Sequence, residues 1–147
     1  MPALIQNKKV YFDYEVLEKF EAGIELFGFE VKSLKAKHGS ITGARVLVRG
    51  DEAFVVNMEI PAFQSHNIHT KYEPDRTRKL LLKRKELSYL AGKSQQRGLT
   101  IVPISVYTKK SLIKIEIGLV KGKKKFDKRE TIKRRETERK IEREMKR

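Results

Sequence analysis

The side chains best suited to chemistry in this sequence are basic ones, concentrated in a segment near the middle of the chain. Residues 74–85 place six Lys/Arg residues around three consecutive leucines. Arg and Lys neutralise phosphates and release condensed counterions, so this segment indicates a polyanionic ligand. The alternative is a solvated basic edge that prevents strand-to-strand aggregation. We expect Leu80–Leu82 to anchor the segment in the core. The side chains expected outside, as phosphate contacts, are Arg76, Arg78, Lys79, Lys83 and Arg84.

Side chains suited to catalysis are poorly represented. The sequence contains no GxxxxGK[ST], GxGxxG, GxSxG or HExxH motif, and it has no Cys. His66 and His69 form an H-x-x-H pair, but the spacing supplies no further metal ligand, so we expect ordinary loop histidines or RNA contacts. Glu30 lies near Lys32, and acid–base catalysis would need a second acid. We therefore predict a surface ion pair there, no metal, no cofactor and no enzymatic activity.

Several aromatic residues lie near basic ones and could stack on unpaired bases, as RNA-binding proteins commonly use them. These are Phe27, Phe29, Phe63, Tyr72 and Tyr107. Most aromatic side chains of a small barrel belong to its core, and we expect this of Phe12, Phe20 and Phe54. Tyr72 is the best candidate for an exposed ring.

The last 27 residues differ in composition from the rest of the chain. Residues 121–147 hold 14 of the 34 Lys+Arg residues and few large apolar ones. We therefore predict a domain over 1–120 and a basic tail over 121–147, disordered when free. Asp127 and Glu130 match a capping pattern, and acid–base pairs follow at i,i+4, so an anionic groove would make the tail helical. Its basic row is Arg135, Arg139 and Arg143. A solubilising tail without a specific partner is the alternative.

The whole chain is strongly basic, with a formal net charge of +15 in 147 residues. Such an excess predicts nucleic acid as the first candidate partner and an anionic membrane surface as the second. No run of about 18 apolar residues is present, so we predict no membrane span. The first nine residues are followed by charged, alternating sequence and not by an apolar signal region. These observations predict a soluble, cytoplasmic protein.

The elements that must position these side chains alternate with a period of two. Ile113–Leu119 and Phe54–Ile60 read as strands with one buried face. Thr100–Val106 does so too, although Pro103 predicts an edge or a bulge. Gly50-Asp51 predicts a hairpin turn. A first strand is expected over Val10–Val16, with Gly23–Leu26 following after a turn.

Two stretches have helical spacing instead. Phe27, Val31 and Leu34 are spaced to lie on one face of a first helix, which is expected to end at His38-Gly39. A second helix is expected from about Lys83 to Gly92. About six strands and two short helices predict an all-β fold, a small antiparallel barrel of the oligonucleotide-binding (OB) type. Periodicity does not separate this topology from an open sandwich.

Five blocks of the sequence resemble a known family, the tmRNA-binding SmpB (SsrA-binding) proteins of bacterial trans-translation. They are Phe20-Glu21-Ala22-Gly23-Ile24, Gly28-Phe29-Glu30-Val31-Lys32-Ser33-Leu34, Arg76-Thr77-Arg78-Lys79-Leu80-Leu81-Leu82, Gly98-Leu99-Thr100-Ile101-Val102-Pro103 and Lys121-Gly122-Lys123-Lys124-Lys125-Phe126-Asp127-Lys128-Arg129. They occur in the family's order and cover nearly the whole chain.

The resemblance implies an OB-type barrel that binds the tRNA-like domain of tmRNA and supports its alanylation. It also implies delivery, with the aminoacyl-tRNA elongation factor, to the A site of a stalled ribosome. The tail resembles the family's C-terminal arm, which becomes helical in the empty mRNA channel. The implied partners are tmRNA, the ribosome and, indirectly, that elongation factor and alanyl-tRNA synthetase. No chemistry by this chain is implied, because the ribosome performs peptidyl transfer.

Residue by residue, the resemblance implies that Glu30 and Lys32 face the RNA. It implies the same for the basic residues before the three leucines, Arg76, Arg78 and Lys79. The residues that it implies lead into the decoding region are Lys121, Gly122, Lys123, Lys124, Lys125, Phe126, Asp127, Lys128 and Arg129. Three positions depart from the family. Phe126 replaces a His or Tyr, Lys83 replaces a common His, and Tyr72 stands where a His often precedes Glu73-Pro74.

Two other hypotheses compete with the adaptor function. A general basic RNA chaperone would bind many structured RNAs with similar affinity. An RNA-processing enzyme with an unrecognised acidic site would show metal-dependent turnover lost on Glu30→Gln. The absence of paired acids and nucleophiles disfavours the enzyme.

Overall fold

A computed structural model describes residues 3–63, 71–123, 135–136 and 139–140. Over these ranges seven strands form one antiparallel sheet: β1 (Ala3–Gln6), β2 (Tyr14–Ile24), β3 (Arg45–Arg49), β4 (Glu52–Val56), β5 (Arg78–Leu81), β6 (Leu99–Lys109) and β7 (Leu112–Gly122). Three helices of at least four residues accompany them: α1 (Val10–Asp13), α2 (Gly28–Lys35) and α3 (Arg84–Ser94).

The strand order is β1-β6-β7-β2-β5-β4-β3. The sheet is curved, so that the edge strand β3 comes into contact with β6. Within the described ranges, the two edge strands β1 and β3 are not hydrogen-bonded to each other. The predicted all-β fold with short helices is confirmed, as an OB-like sheet that does not close. None of the helices in the described ranges is long and apolar enough to span a membrane.

The long strands β2, β6 and β7 form the frame of the sheet. The predicted buried face of β7 is confirmed, because its alternate residues Ile113–Leu119 are nearly inaccessible. The pairing of β6 with β7 shifts register between Pro103 and Ser105, which confirms the predicted bulge. The aliphatic core on this face also takes in Leu34 of α2 and Leu90 of α3, so both helices are anchored to the sheet.

The first predicted strand is wrong over its first half, because Val10–Asp13 is a helical turn. The Asn7 side chain accepts a hydrogen bond from the Lys9 N–H, and the Lys9 carbonyl accepts from the N–H groups of Phe12 and Asp13. This local capping competes with an extended backbone. The predicted turn before Gly23 is also wrong, since β2 is continuous to Ile24.

The hairpin between β3 and β4 is confirmed, with Gly50 at φ 61° in its turn. The face predicted for Phe54–Ile60 is wrong in its first part, because Ala53 and Val55 are the buried residues of β4. Asn57 has φ 63° and ends the strand, so the alternation changes phase before Met58 and Ile60, which are buried as predicted.

Both predicted helices exist, with changed ends. Phe27 is the N-cap of α2 and lies outside its buried face, and α2 ends before the left-handed Lys37 and Gly39. α3 continues through Gly92 to Ser94, so the predicted stop is two residues early. The aromatic core prediction is only partly right. Phe12, Phe20 and Phe54 are half-buried, and Phe20 packs against the main core. The fully buried apolar residues in the described ranges are aliphatic or Met.

Candidate nucleic-acid interface

Glu30 lies at the centre of a polar cluster beneath the start of α2. It is the third residue of the helix, and its Oε1 accepts a hydrogen bond from the N–H of the N-cap residue Phe27 at 2.7 Å, so it satisfies that backbone donor. Its side chain is 0% exposed. The predicted surface ion pair with Lys32 is wrong, because residues two apart do not share a helix face and Lys32 is exposed.

Arg78 is the buried partner of Glu30. Its Nε and Nη2 donate to Glu30 Oε2 at 2.9 and 2.7 Å, and its Nη1 donates to the Met58 carbonyl at 2.7 Å. The side chain is 0% exposed, so the prediction that Arg78 stays outside is wrong. The alternation of β5 explains this, since Arg78 and Leu80 share the inner face and Leu81 points outward. In this structure neither Glu30 nor Arg78 is accessible to an RNA.

Arg76 is the second cation on Glu30 and is partly accessible. Its Nη2 donates to Glu30 Oε1 at 2.5 Å and its Nε to Oε2 at 3.1 Å, while its side chain remains 25% exposed. The guanidinium carbon lies 4.2 Å from the centroid of the Phe27 ring. Phe27 itself is 50% exposed. The two side chains form an accessible cation–aromatic pair at the edge of the cluster.

Tyr72 belongs to the cluster and is not the exposed ring that the sequence predicts. Its hydroxyl lies 2.8 Å from both Glu30 Oε2 and the Ile60 carbonyl oxygen and accepts from Arg78 Nη2 at 3.0 Å. Its ring packs edge-on against Phe29, with the centroids 4.8 Å apart. Burial and the neighbouring Glu30 carboxylate raise the pKa of Tyr72 to about 12, so this hydroxyl stays protonated.

The cluster holds its charges without an unsatisfied group. Burial alone would raise the pKa of Glu30, but hydrogen bonds from Arg76, the Phe27 N–H, Tyr72 and Arg78 outweigh it and hold that pKa below its ordinary value. Within the described ranges, no buried side-chain nitrogen or oxygen lacks a partner. Two guanidinium groups face one carboxylate, so the cluster has one excess positive charge. Arg78 is fully buried and Arg76 is partly exposed, so the accessible positive charge is that of Arg76 beside Phe27.

The remaining basic residues of the central segment lie closer to solvent. Lys83 is the N-cap of α3, Arg84 begins that helix, and both are exposed. Lys79 Nζ lies 3.7 Å from Glu52 Oε2 in an exposed ion pair. Their predicted RNA contacts, like that of Lys32, stay predictions.

The predicted tail begins inside the sheet. Lys121 pairs with Glu15 and Leu99, and Gly122 pairs with Tyr14, so β7 extends past the predicted boundary at residue 120. The Lys123 N–H donates to the Asp13 carbonyl at 3.0 Å. Farther along, Arg135 and Arg139 are in helical conformation, and the Arg135 guanidinium carbon lies 5.7 Å from the centroid of the Phe12 ring. Other predicted residues lie outside the described ranges: Lys124, Lys125, Phe126, Asp127, Lys128, Arg129, Arg143, His66 and His69.

A second cluster of polar side chains connects β6 to β2, and it is not predicted from the sequence. The Tyr107 hydroxyl donates to Glu21 Oε2 at 2.5 Å, and Lys109 Nζ lies 3.3 Å from Glu21 Oε1. Tyr107 was predicted to stack on RNA, but its hydroxyl is held by this carboxylate. Over the described ranges, no group of three or more acidic, His or Cys side chains could hold a metal ion.

Comparisons with known proteins give a consistent result. The family model described as SmpB protein matches residues 4–147. An SsrA-binding protein of Cupriavidus taiwanensis is 48% identical, with 97% of this chain and 96% of the relative covered. Its counterpart from Thermosipho africanus is 44% identical, with 100% and 99% covered. A solved structure described as "tmRNA-SmpB: a journey to the center of the bacterial ribosome" superposes with a TM-score of 0.69 at 39% identity, over 82% of this chain and 85% of that one.

Proposed function

This chain belongs to the SmpB protein family, and from that membership we propose that it is a tmRNA-binding adaptor of trans-translation. The main support is the sequence identity of 44–48% to two SsrA-binding proteins, over nearly the full length of this chain and of each relative. A relative solved as a tmRNA-SmpB assembly of the bacterial ribosome, with a TM-score of 0.69, extends the proposal to the ribosome as second partner.

The charge distribution supports this function independently. The net charge of +15 suits a phosphate-rich partner, and exposed basic side chains flank β5 and begin α3. The sheet domain would bind the tRNA-like part of tmRNA with Lys32, Lys79, Lys83 and Arg84 near its phosphates. Glu30 and Arg78 would support this surface from below and not touch the RNA.

The tail would act after RNA binding, in the vacant decoding region and mRNA channel of a stalled ribosome. Its i,i+4 acid–base pairs and the basic row of Arg135, Arg139 and Arg143 suit a helix in an anionic groove. Aid to alanylation by alanyl-tRNA synthetase and delivery with the aminoacyl-tRNA elongation factor complete the proposal. The protein would act in the cytoplasm and leave peptidyl transfer to the ribosome.

Binding to the tRNA-like domain of tmRNA, at several salt concentrations and with an ordinary tRNA as competitor, tests this function. A strong preference for tmRNA that persists as salt rises is the expected result. Equal binding of both RNAs with a steep salt dependence would instead mean phosphate attraction alone, as in a general RNA chaperone. That outcome would overturn the adaptor function.

A further inference from the structure

The donors of Arg76 are already engaged within the protein. Nη2 and Nε bind Glu30, Nη2 also lies 3.5 Å from the Glu25 carbonyl, and Nη1 lies 3.4 Å from the Thr77 carbonyl. A guanidinium whose edges are occupied is poorly placed for the bidentate phosphate contact that arginine ordinarily makes. The flat face of the group is a separate surface, and the side chain is still 25% exposed.

The Arg76 guanidinium lies over the ring of Phe27, which is exposed. The Arg76 guanidinium lies 4.2 Å from the Phe27 centroid, and the Phe29 centroid lies 5.5 Å from that of Phe27 at an interplanar angle of 31°. Phe27 is 50% exposed at the N-cap of α2. Its backbone is fixed by the hydrogen bond to Glu30, and Glu30 also fixes Arg76. One buried carboxylate therefore orients both members of an exposed planar pair.

We propose that Phe27 and Arg76 form a preformed stacking platform for one unpaired base of the bound RNA, with Glu30 as its positioning residue. The ligand class is a nucleobase presented by a loop or bulge, since aromatic rings and guanidinium planes both stack on splayed bases. The inference rests on the proposed function and deepens it. It assigns Arg76 to base stacking, in place of the phosphate contact predicted from the sequence.

The test compares Phe27→Ala and Phe27→Trp for binding to the tRNA-like domain of tmRNA over a salt series. Phe27→Ala keeps the backbone N–H that Glu30 caps, so the cluster should stay intact. We expect an affinity loss of about tenfold, within the range for removing a base-stacking aromatic, with the slope of log affinity against log salt unchanged. Phe27→Trp should restore affinity because it keeps a π face.

Arg76→Lys provides the second variant, because it keeps the charge and loses the plane. A stacking role predicts weaker binding with an unchanged salt slope for Arg76→Lys. For Arg76→Gln, a phosphate contact predicts a slope reduced by about 0.7–0.9, and a stacking role predicts a smaller change. Thermal unfolding of each free variant identifies any loss that comes from folding.

The outcomes separate this inference from the proposed function. If the unaltered protein prefers tmRNA to tRNA and Phe27→Ala binds equally well, the stacking platform is wrong and the adaptor function stands. The platform is also wrong if Phe27→Trp binds as weakly as Phe27→Ala. If the unaltered protein shows no preference for tmRNA, the adaptor function itself fails.

Discussion

Glu30 is a buried carboxylate paired with two arginines. Its contribution to the free energy of unfolding can be judged from its removal, which would leave the buried Arg78 without a counterion. Arg78 is 0% exposed and directs its Nε and Nη2 at Glu30. A buried ion pair is weak evidence of net stabilisation, because desolvation offsets much of the attraction. Removal of one partner is a different case, since the remaining charge stays buried without compensation.

Glu30→Gln is therefore expected to lower the free energy of unfolding by about 3–5 kcal/mol, as for other broken buried pairs. Denaturant unfolding of the free protein measures it. The matched control is Glu52→Gln, which breaks the exposed pair with Lys79 at 3.7 Å and should cost less than about 1 kcal/mol. Equal small losses in both variants would contradict the structural role given to Glu30.

The pH dependence of stability provides a second test at the same residue. The pKa of Glu30 is lower in the folded protein than its ordinary value, so the unfolded chain binds this proton more readily. The contribution of Glu30 is present above its unfolded pKa and is lost as the pH falls through its folded pKa. Glu30→Gln should thus show a shallower acid loss of stability than the unaltered protein. Parallel curves at acid pH would contradict this.

The sequence could predict part of this site but not its connections. The two-residue period of the β5 segment predicts that Leu80 is inward, and the same period places Arg78 inward. A charged side chain is expected at the surface unless it has a buried counterion, so the charge of Arg78 suggests the opposite. Its counterion Glu30 lies in α2, far away in the sequence. Tyr72 was misjudged for the same reason. The pairing of distant polar groups has no local signal comparable with hydrophobic periodicity.

At the scale of the element, α2 matters because it carries both Glu30 and the Phe27 cap. Its middle is tied to the neighbouring loop by the Ser33 hydroxyl, which donates to the Pro61 carbonyl at 2.5 Å. Gly39 follows its end with φ 145°, and Ser40 then bridges to Glu59. Gly39 therefore lies where the chain leaves α2 and meets Glu59, close to Leu34 of that helix.

Gly39→Ala is expected to destabilise the protein by about 1–3 kcal/mol, because a side chain at this φ is strained. An added Cβ would also lie 3.1 Å from the Glu59 carbonyl oxygen and 3.2 Å from Leu34 Cδ2. Gly92→Ala is the matched control. It lies within α3, and the added Cβ would meet no atom within 4 Å apart from its chain neighbours and the adjacent backbone of the helix. This substitution should stabilise the protein by about 0.5–1 kcal/mol. Thermal unfolding distinguishes them, and changes of the same sign would contradict the structure.

Element types were more predictable than element phases. The apolar alternation of β7 and the glycine turn at Gly50 are strong local signals, and both were correct. Asn57 at φ 63° reverses the phase of the alternation after β4, and the Asn7 cap makes a helical turn where apolar spacing suggested a strand. Such single-residue backbone events change which face is buried without changing the composition that predicts a strand.

At the scale of the molecule, the boundary between sheet and tail sets how the proposed division of function can be tested. Composition placed that boundary at residue 120, but β7 continues to Gly122. Lys123 then adds a main-chain bond to Asp13, and its Nζ donates to the Tyr11 carbonyl at 2.8 Å. A truncation at residue 120 would remove sheet pairing as well as the tail.

A chain ending at Lys123 should keep its thermal stability and its preference for tmRNA over tRNA, while losing peptide tagging on stalled ribosomes. The reason is that the β2–β7 ladder and the Lys123 bonds stay intact, whereas the basic row at Arg135, Arg139 and Arg143 is absent. Affinity measured over a salt series checks the preference for tmRNA, and a reconstituted tagging reaction checks the loss of peptide tagging.

A chain ending at residue 120 is the matched control and should unfold more easily, because it lacks the pairings of Lys121 and Gly122. If the chain ending at Lys123 instead lost its preference for tmRNA while remaining folded, the tail would be part of the RNA-binding surface, and the separation of RNA binding from ribosome engagement would be wrong.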